Sequence, residues 1–186
     1  GVEYKAFQYF IETKNCDALD GGLVIFAAGN EGQPVAGYPG AYNDYIAVTA
    51  YAPDGLPAYY TCYDKGCNVS APGGEYYLVG NSWAEPGCVY STLPNNTYGY
   101  MQGTSMACPH VSGIAALGLS YALDLGKTYT VDQFKTLLLT SVNSFDEDRF
   151  ADFKANPEGG TLNLASYRGK MGTGKIDAYR LFMGIR

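Results

Sequence analysis

Apolar and polar positions alternate along the chain in a way that separates helical from extended segments. Residues Glu3 to Thr13 read as a helix, and the polar turn "NCDALDGG" closes it. "LVIFAA" (Leu23 to Ala28) follows, a continuous apolar run between a glycine pair and Gly-Asn, as a buried parallel strand requires. "DYIAVTAYA" (Asp44 to Ala52) predicts a second strand, and "CNVSAPG" a short third. Glu75 to Tyr100, rich in Gly, Asn, Pro and Tyr, reads as loop with short extended pieces. Thr104 to Leu123 is helical and built of small residues, which predicts a helix buried close against a sheet. A further helix starts at Thr130, because Gln133 three residues on completes a capping box ahead of "FKTLLLTSV". Asn143 to Gly169 is polar and loop-like, and "GKIDAYRLFMG" ends the chain as strand and helix.

Strands alternating with helices predict an α/β fold with parallel pairing. Two or three strands make a narrow sheet for such a fold, so the 186 residues read as one partial domain.

Composition removes several function classes. The net charge of −6 and the absence of a Lys/Arg run argue against nucleic acid as a partner. No apolar stretch reaches the length needed for a transmembrane segment, and "GVEYKAFQYFIETKNC" lacks the basic and apolar regions of a secretion signal. Of five cysteines, Cys62 and Cys67 flank the turn-like "YDKG", where either a local disulfide or two buried thiols fits; no zinc-type spacing accompanies them.

Candidate chemistry centres on "MQGTSMACPHVSG" (Met101 to Gly113). It sets Ser105 at the start of the small-residue helix, where unpaired N–H groups and the helix dipole favour a developing oxyanion. Gly103 lets a substrate backbone approach. Such a serine alone is more often a helix cap. The second feature is "FAAGNEG" (Phe26 to Gly32): a strand ending in Gly29-Asn30 projects a carboxamide from the carboxyl edge of the sheet, where open α/β sheets place their sites. Its bland alternative is a left-handed turn residue.

Taken together, "AAGNEG", "GYPG" (Gly37 to Gly40), "SAPGG" (Ser70 to Gly74), "STLP" (Ser91 to Pro94) and "GTSMACPHVSGIAAL" (Gly103 to Leu117) stand in the order seen in subtilisin-like serine proteases, and "GTGKIDA" (Gly172 to Ala178) is similar to that family's closing segment. The resemblance runs from about Gly22 to Ala178, with an unmatched stretch around Asp146 to Arg168. It implies a three-layer αβα fold with a mostly parallel sheet, of which this chain is the C-terminal half. It further implies Ser105 as nucleophile, Asn30 as oxyanion donor and Thr104 as the residue that orients Asn30. Ala27, Ala28 and Gly29, with Gly37 opposite, would line a pocket open to a large apolar side chain, and Met106 would lie beside the nucleophile, open to oxidation.

His110, the one histidine of the chain, lies about 140° around the helix axis from Ser105 and is expected to face elsewhere. In subtilisin-like proteases the histidine of this motif is structural. The aspartate and histidine of the family's triad come from Asp-Ser/Thr-Gly and His-Gly-Thr-His motifs, and neither occurs here. The expected partners are therefore a protein or peptide substrate and a missing N-terminal half that carries both groups, with the chain inactive alone. A rival reading is a non-catalytic subtilisin-like scaffold, against which intact Ser105 and Asn30 weigh. No cofactor is required. The family's structural calcium would find backbone carbonyls in "GAYND" (Gly40 to Asp44), without an acidic cluster to hold it. The resemblance implies a secreted or cell-envelope location. "GKMGTGK" (Gly169 to Lys175) imitates a phosphate-binding loop, but Ile176 replaces its magnesium-binding Ser or Thr.

Overall fold

The computed structural model describes residues 1–14, 16–79 and 82–186. Helix α1 (Val2–Glu12) leads to strands β1 (Ile25–Ala27), β2 (Ile46–Tyr51) and β3 (Val69–Pro72). Two hairpins follow, β4 (Tyr77–Val79) with β5 (Ser82–Ala84) and β6 (Val89–Leu93) with β7 (Thr97–Met101). Next come α2 (Thr104–Asp124), α3 (Val131–Thr140) and β8 (Val142–Asn143). A third hairpin, β9 (Phe153–Ala155) with β10 (Thr161–Asn163), precedes β11 (Lys175–Ile176) and α4 (Ala178–Ile185).

The main sheet has the order β1-β2-β3-β11-β8. Its first four strands pair in parallel, and β8 closes the edge antiparallel to β11. Alternation along β2 sends Ile46, Val48 and Ala50 to one face, where they pack with Val111 and Ala115 of α2, Phe134 and Leu138 of α3, and Leu181 and Ile185 of α4. Ala47 points the other way, into a cluster with Ala28, Ala36 and Cys62. Phe26, registered opposite Ala47, meets Phe7 of α1 edge-on at 5.5 Å between ring centroids. Helices therefore cover both faces of a mostly parallel sheet, the three-layer αβα arrangement expected.

Helix α2 fits the sheet because its inward stripe is small: Thr104, Ala107, Val111, Ala115, Gly118 and Ala122 are buried. A Cβ on Gly118 would lie 2.6 Å from Leu181 Cδ2, so the absence of a side chain sets how near α4 approaches. The capping box of α3 is present, with Thr130 Oγ1 accepting from Gln133 N at 3.2 Å and Gln133 Oε1 from Thr130 N at 3.0 Å.

Several expectations need correction. The main sheet has five strands rather than two or three: β11 falls in the strand expected within "GKIDAYRLFMG", and β8 is a two-residue piece too short to leave a hydrophobic pattern. Strand β1 is half-buried, not buried, since it is an edge with a hydrogen-bonded neighbour on one side only. Helix α2 buries one face and exposes Leu117 (58%) and Leu123 on the other. Contrary to the sequence reading, α2 is long and apolar enough to cross a membrane by length and composition; its small stripe packs on the sheet as a core helix does. The segment from 143 to 169 is not a bare loop. It folds the β9–β10 hairpin and a small core of its own in which Phe150, Leu164 and Tyr167 pack on Leu56 and Met171. All five cysteines are free, and burial pushes the Cys67 thiol up to about 12, so the thiol alternative holds for Cys62 and Cys67. Gly169 to Lys175 cradles no helix start: Gly172 packs against the backbone of Asn68 and Lys170 pairs with Asp64 at 3.2 Å.

Candidate active site

Ser105 stands exposed in the first turn of α2. The turn before it depends on Gly103, whose φ of 144° is closed to ordinary L side chains. Gly103 N donates both to Gly73 O and to Tyr60 Oη, each at 3.0 Å, and Tyr60 Oη donates to Gly74 O at 2.6 Å. The loop after β3 and the buried Tyr60 thus hold the approach to Ser105 from below. Burial pushes the Tyr60 hydroxyl well above the usual phenol range, so it stays a neutral donor.

Asn30 lies beyond the carboxyl end of β1. Its Oδ1 accepts from both Thr104 N and Thr104 Oγ1 at 2.9 Å, and Thr104 Oγ1 accepts from Gly29 N at 3.2 Å. With two donors on the oxygen, the carboxamide orientation is settled and Nδ2 is turned away from Thr104 as a free-standing donor. The Gly103 α-carbon lies beside it: a Cβ there would stand 3.7 Å from Asn30 Nδ2 and 3.7 Å from Met106 Sδ. Residues that are about 75 apart in sequence therefore meet around one turn. Chemically this is a hydroxyl, a fixed amide N–H and the Ser105 N–H of a helix start, which has no partner among the described residues, within one small region suited to an anionic oxygen on an acyl group.

Ala27, Ala28, Gly29 and Gly37 also come together. Ala28 O accepts from Gly37 N at 2.7 Å, which brings the "GYPG" loop across from the end of β1. The structure adds two residues, Glu31 and Cys62, that the sequence did not assign to this wall. A Cβ on Gly29 would lie 2.6 Å from Glu31 Oε2 and 3.0 Å from Cys62 Sγ, and the Cys62 thiol donates to Glu31 Oε2 at 3.4 Å. A carboxylate therefore borders the small-residue wall. Glu31 follows Asn30 directly, so its adjacency was visible; Cys62 reaches the wall only through the fold.

On the other side of Ser105, the β6–β7 hairpin and the start of α2 enclose a cleft of about 360 Å³, lined among others by Leu93, Met101, Met106, Pro109 and His110. His110 thus borders the same cleft as Ser105, which its angular offset on the helix did not suggest; the hairpin folds over both. Its Nδ1 lies 2.8 Å from Met106 O, the helical carbonyl one turn back, and serves as donor there. No hydrogen bond joins it to Ser105 among the described residues.

In "GAYND" the Asn43 carbonyl accepts from Lys135 Nζ at 2.8 Å, as does that of Tyr45 just after it at 3.3 Å, so an ammonium group faces the loop where calcium was considered. Among the described residues no group of three or more His, Cys, Asp or Glu side chains stands where it would hold a metal.

Comparison with known proteins gives the family. The model of the subtilase family (Peptidase_S8) matches residues 5–165. An extracellular basic protease of Dichelobacter nodosus is 36% identical over 127 residues, 68% of this chain and 20% of that protein. Subtilisin DY of Bacillus licheniformis is 41% identical over 102 residues, 53% of this chain and 32% of the relative. The solved structure of a protease from Pseudoalteromonas arctica superposes with a TM-score of 0.67 at 30% identity, covering 90% of this chain and 44% of its own. The chain spans a fifth to a third of these curated relatives. This chain belongs to the subtilase family.

Proposed function

We propose that these residues form the C-terminal portion of a subtilisin-like serine endopeptidase domain. The observation that carries this reading is the Asn30–Thr104 pairing beside Ser105, which aims a fixed amide N–H past the nucleophile's turn. In the complete enzyme Ser105 Oγ attacks the scissile carbonyl and its proton passes to a histidine outside these residues. Asn30 Nδ2 and the Ser105 backbone N–H take up the charge on the carbonyl oxygen. Collapse expels the amine and leaves an acyl-enzyme, which water then hydrolyses. Ala27, Ala28, Gly29 and Gly37 line the pocket for the side chain on the acyl side.

The base and the aspartate that orients it belong to further polypeptide, the N-terminal portion of the same domain. Two features support the need for such a complement. Strand β1 offers an open edge, and beside it a groove of about 700 Å³ is lined by apolar residues that include Phe7, Phe10, Leu23, Ile25, Ala116 and Leu119. A scaffold without catalysis needs neither Ser105 nor an oriented Asn30. By analogy with the extracellular Dichelobacter protease, the complete protein is secreted or held in the cell envelope.

Assembly of the chain with a polypeptide carrying the aspartate and histidine segments tests the proposal. Peptide hydrolysis that requires both parts and is lost in Ser105→Ala is the expected outcome. Hydrolysis that survives Ser105→Ala would sink it.

A further inference from the structure

The β9–β10 hairpin, from the stretch that the sequence motifs left unmatched, builds a second feature, linked through Gln102 to the turn before Ser105. Between β9 and β10 the chain turns at Asn156 to Gly160, where Asn156 N donates to Gly160 O at 3.1 Å and Asn156 Oδ1 accepts from Glu158 N at 3.0 Å. These bonds hold Pro157 and Glu158 at the tip. The hairpin is anchored by Lys154, whose Nζ lies 2.8 Å from Glu75 Oε1, 3.1 Å from Asp54 Oδ2 and 3.2 Å from Pro57 O. The tip then faces Tyr59 and Tyr76 across a cleft of about 340 Å³.

Its chemistry is specific. Two tyrosine rings and a proline ring supply apolar walls, and Glu158 puts an exposed carboxylate on the rim. The charge of Lys154 is matched by Glu75 and Asp54, whereas Glu158 makes no ion pair among the described residues. Tyr59 Oη donates to Glu158 Oε1 at 3.3 Å and accepts from Gln102 Nε2 at 2.8 Å, while Gln102 Oε1 accepts from Tyr76 N at 2.8 Å. Gln102 immediately precedes Gly103, so the walls of the cleft are tied to the turn that presents Ser105. A flat cation with an apolar stem satisfies all of these surfaces together: the stem lies along Pro157 and the rings, the charge over a ring face and against the carboxylate.

We propose that this cleft binds an arginine side chain of a peptide lying across Ser105, a subsite supplied by the 146–168 segment. It deepens the endopeptidase reading and rests on it only for the identity of the peptide. Lysine is accommodated less well, because its ammonium lacks the planar group that stacks on tyrosine.

The test uses the Ser105→Ala chain tethered at low density on a sensor surface, with acetylated hexapeptides that differ only in one arginine or its neutral isostere citrulline. The expected result is at least about threefold tighter binding of the arginine peptide at low salt, the range of one exposed cation–π contact plus a rim carboxylate. In Glu158→Gln that ratio falls towards one with the citrulline affinity unchanged, and in Tyr76→Ala both peptides weaken. Equal affinity for the two peptides, no measurable binding of the arginine peptide, or a ratio unmoved by Glu158→Gln and Tyr76→Ala would each overturn the proposal. None of these bears on Ser105, whose role is read by covalent labelling; conversely, arginine selectivity that persists where labelling fails would leave the cleft standing without the protease.

Discussion

Asn30 illustrates how a single residue acquires a role from its neighbours. A carboxamide at the end of a strand is ambiguous until something decides which atom faces the substrate. Thr104 decides it here by donating twice to Oδ1, through its backbone and its hydroxyl. In the complete domain Asn30→Ala is expected to lower kcat by about 10²–10³-fold with little change in KM, because the lost contact forms in the transition state. Thr104→Val removes one of the two donors and should cost less; steady-state kinetics on both variants separates the effects. At this scale the sequence was informative where a recognisable motif surrounds the residue: Asn30 and Thr104, each singled out by its own motif, meet across 74 residues. Tyr60, which holds Gly103 from 43 residues away, was not legible, and neither was Cys62 against Gly29. Both owe their position to the packing of loops, which leaves no periodic trace.

Among the elements, the β9–β10 hairpin depends most on electrostatics. Glu75 is 5% exposed, and burial raises its carboxyl above the ordinary range against the opposing pull of Lys154. Lys154→Met should destabilise the fold by about 3–5 kcal/mol, since it strands a buried carboxylate. The sign with pH follows from the direction of the shift. An acid whose folded value is raised gives stability that is present at low pH and lost as pH rises through that folded value. Denaturant unfolding of Lys154→Met should therefore show higher stability at pH 5 than at pH 7.5, and Lys154→Met with Glu75→Gln should recover most of the loss. A packing prediction concerns α2 and α4. Gly118→Ala gains helix propensity of about 1 kcal/mol but drives a methyl into Leu181, a clash of about 1–3 kcal/mol, so a net loss in thermal midpoint is expected.

The elements themselves were legible in proportion to their length and regularity. Helices α1, α2 and α3 and strands β2 and β3 lie where the hydrophobic pattern put them. The β6–β7 hairpin falls in the stretch whose composition reads as loop with short extended pieces; the consecutive left-handed residues Asn95 and Asn96 (φ 64° and 56°) turn the chain between "VYSTL" and "TYGYM". Tyrosine and glycine content masked it.

For the molecule as a whole, the open edge of β1 and the apolar groove beside it, which α2 helps to line, are unsatisfied surfaces of one kind. Such an edge favours self-association, so the chain alone should sediment as mixed oligomers at micromolar concentration, and addition of its complement should narrow the distribution to one heterodimer. The missing triad motifs are what made a partial domain the expectation; of the two short strands that widen the sheet, β11 lies in the strand expected within "GKIDAYRLFMG", whereas β8 left no pattern. The central proposal is that Ser105 is a nucleophile whose base is supplied by further polypeptide. Intact mass under denaturing conditions after exposure to a fluorophosphonate reports on that directly. The account predicts no adduct on the chain alone and a single adduct on Ser105 once the complement is present. Stoichiometric labelling of Ser105 in the isolated chain would show that a base resides within these 186 residues and would contradict it.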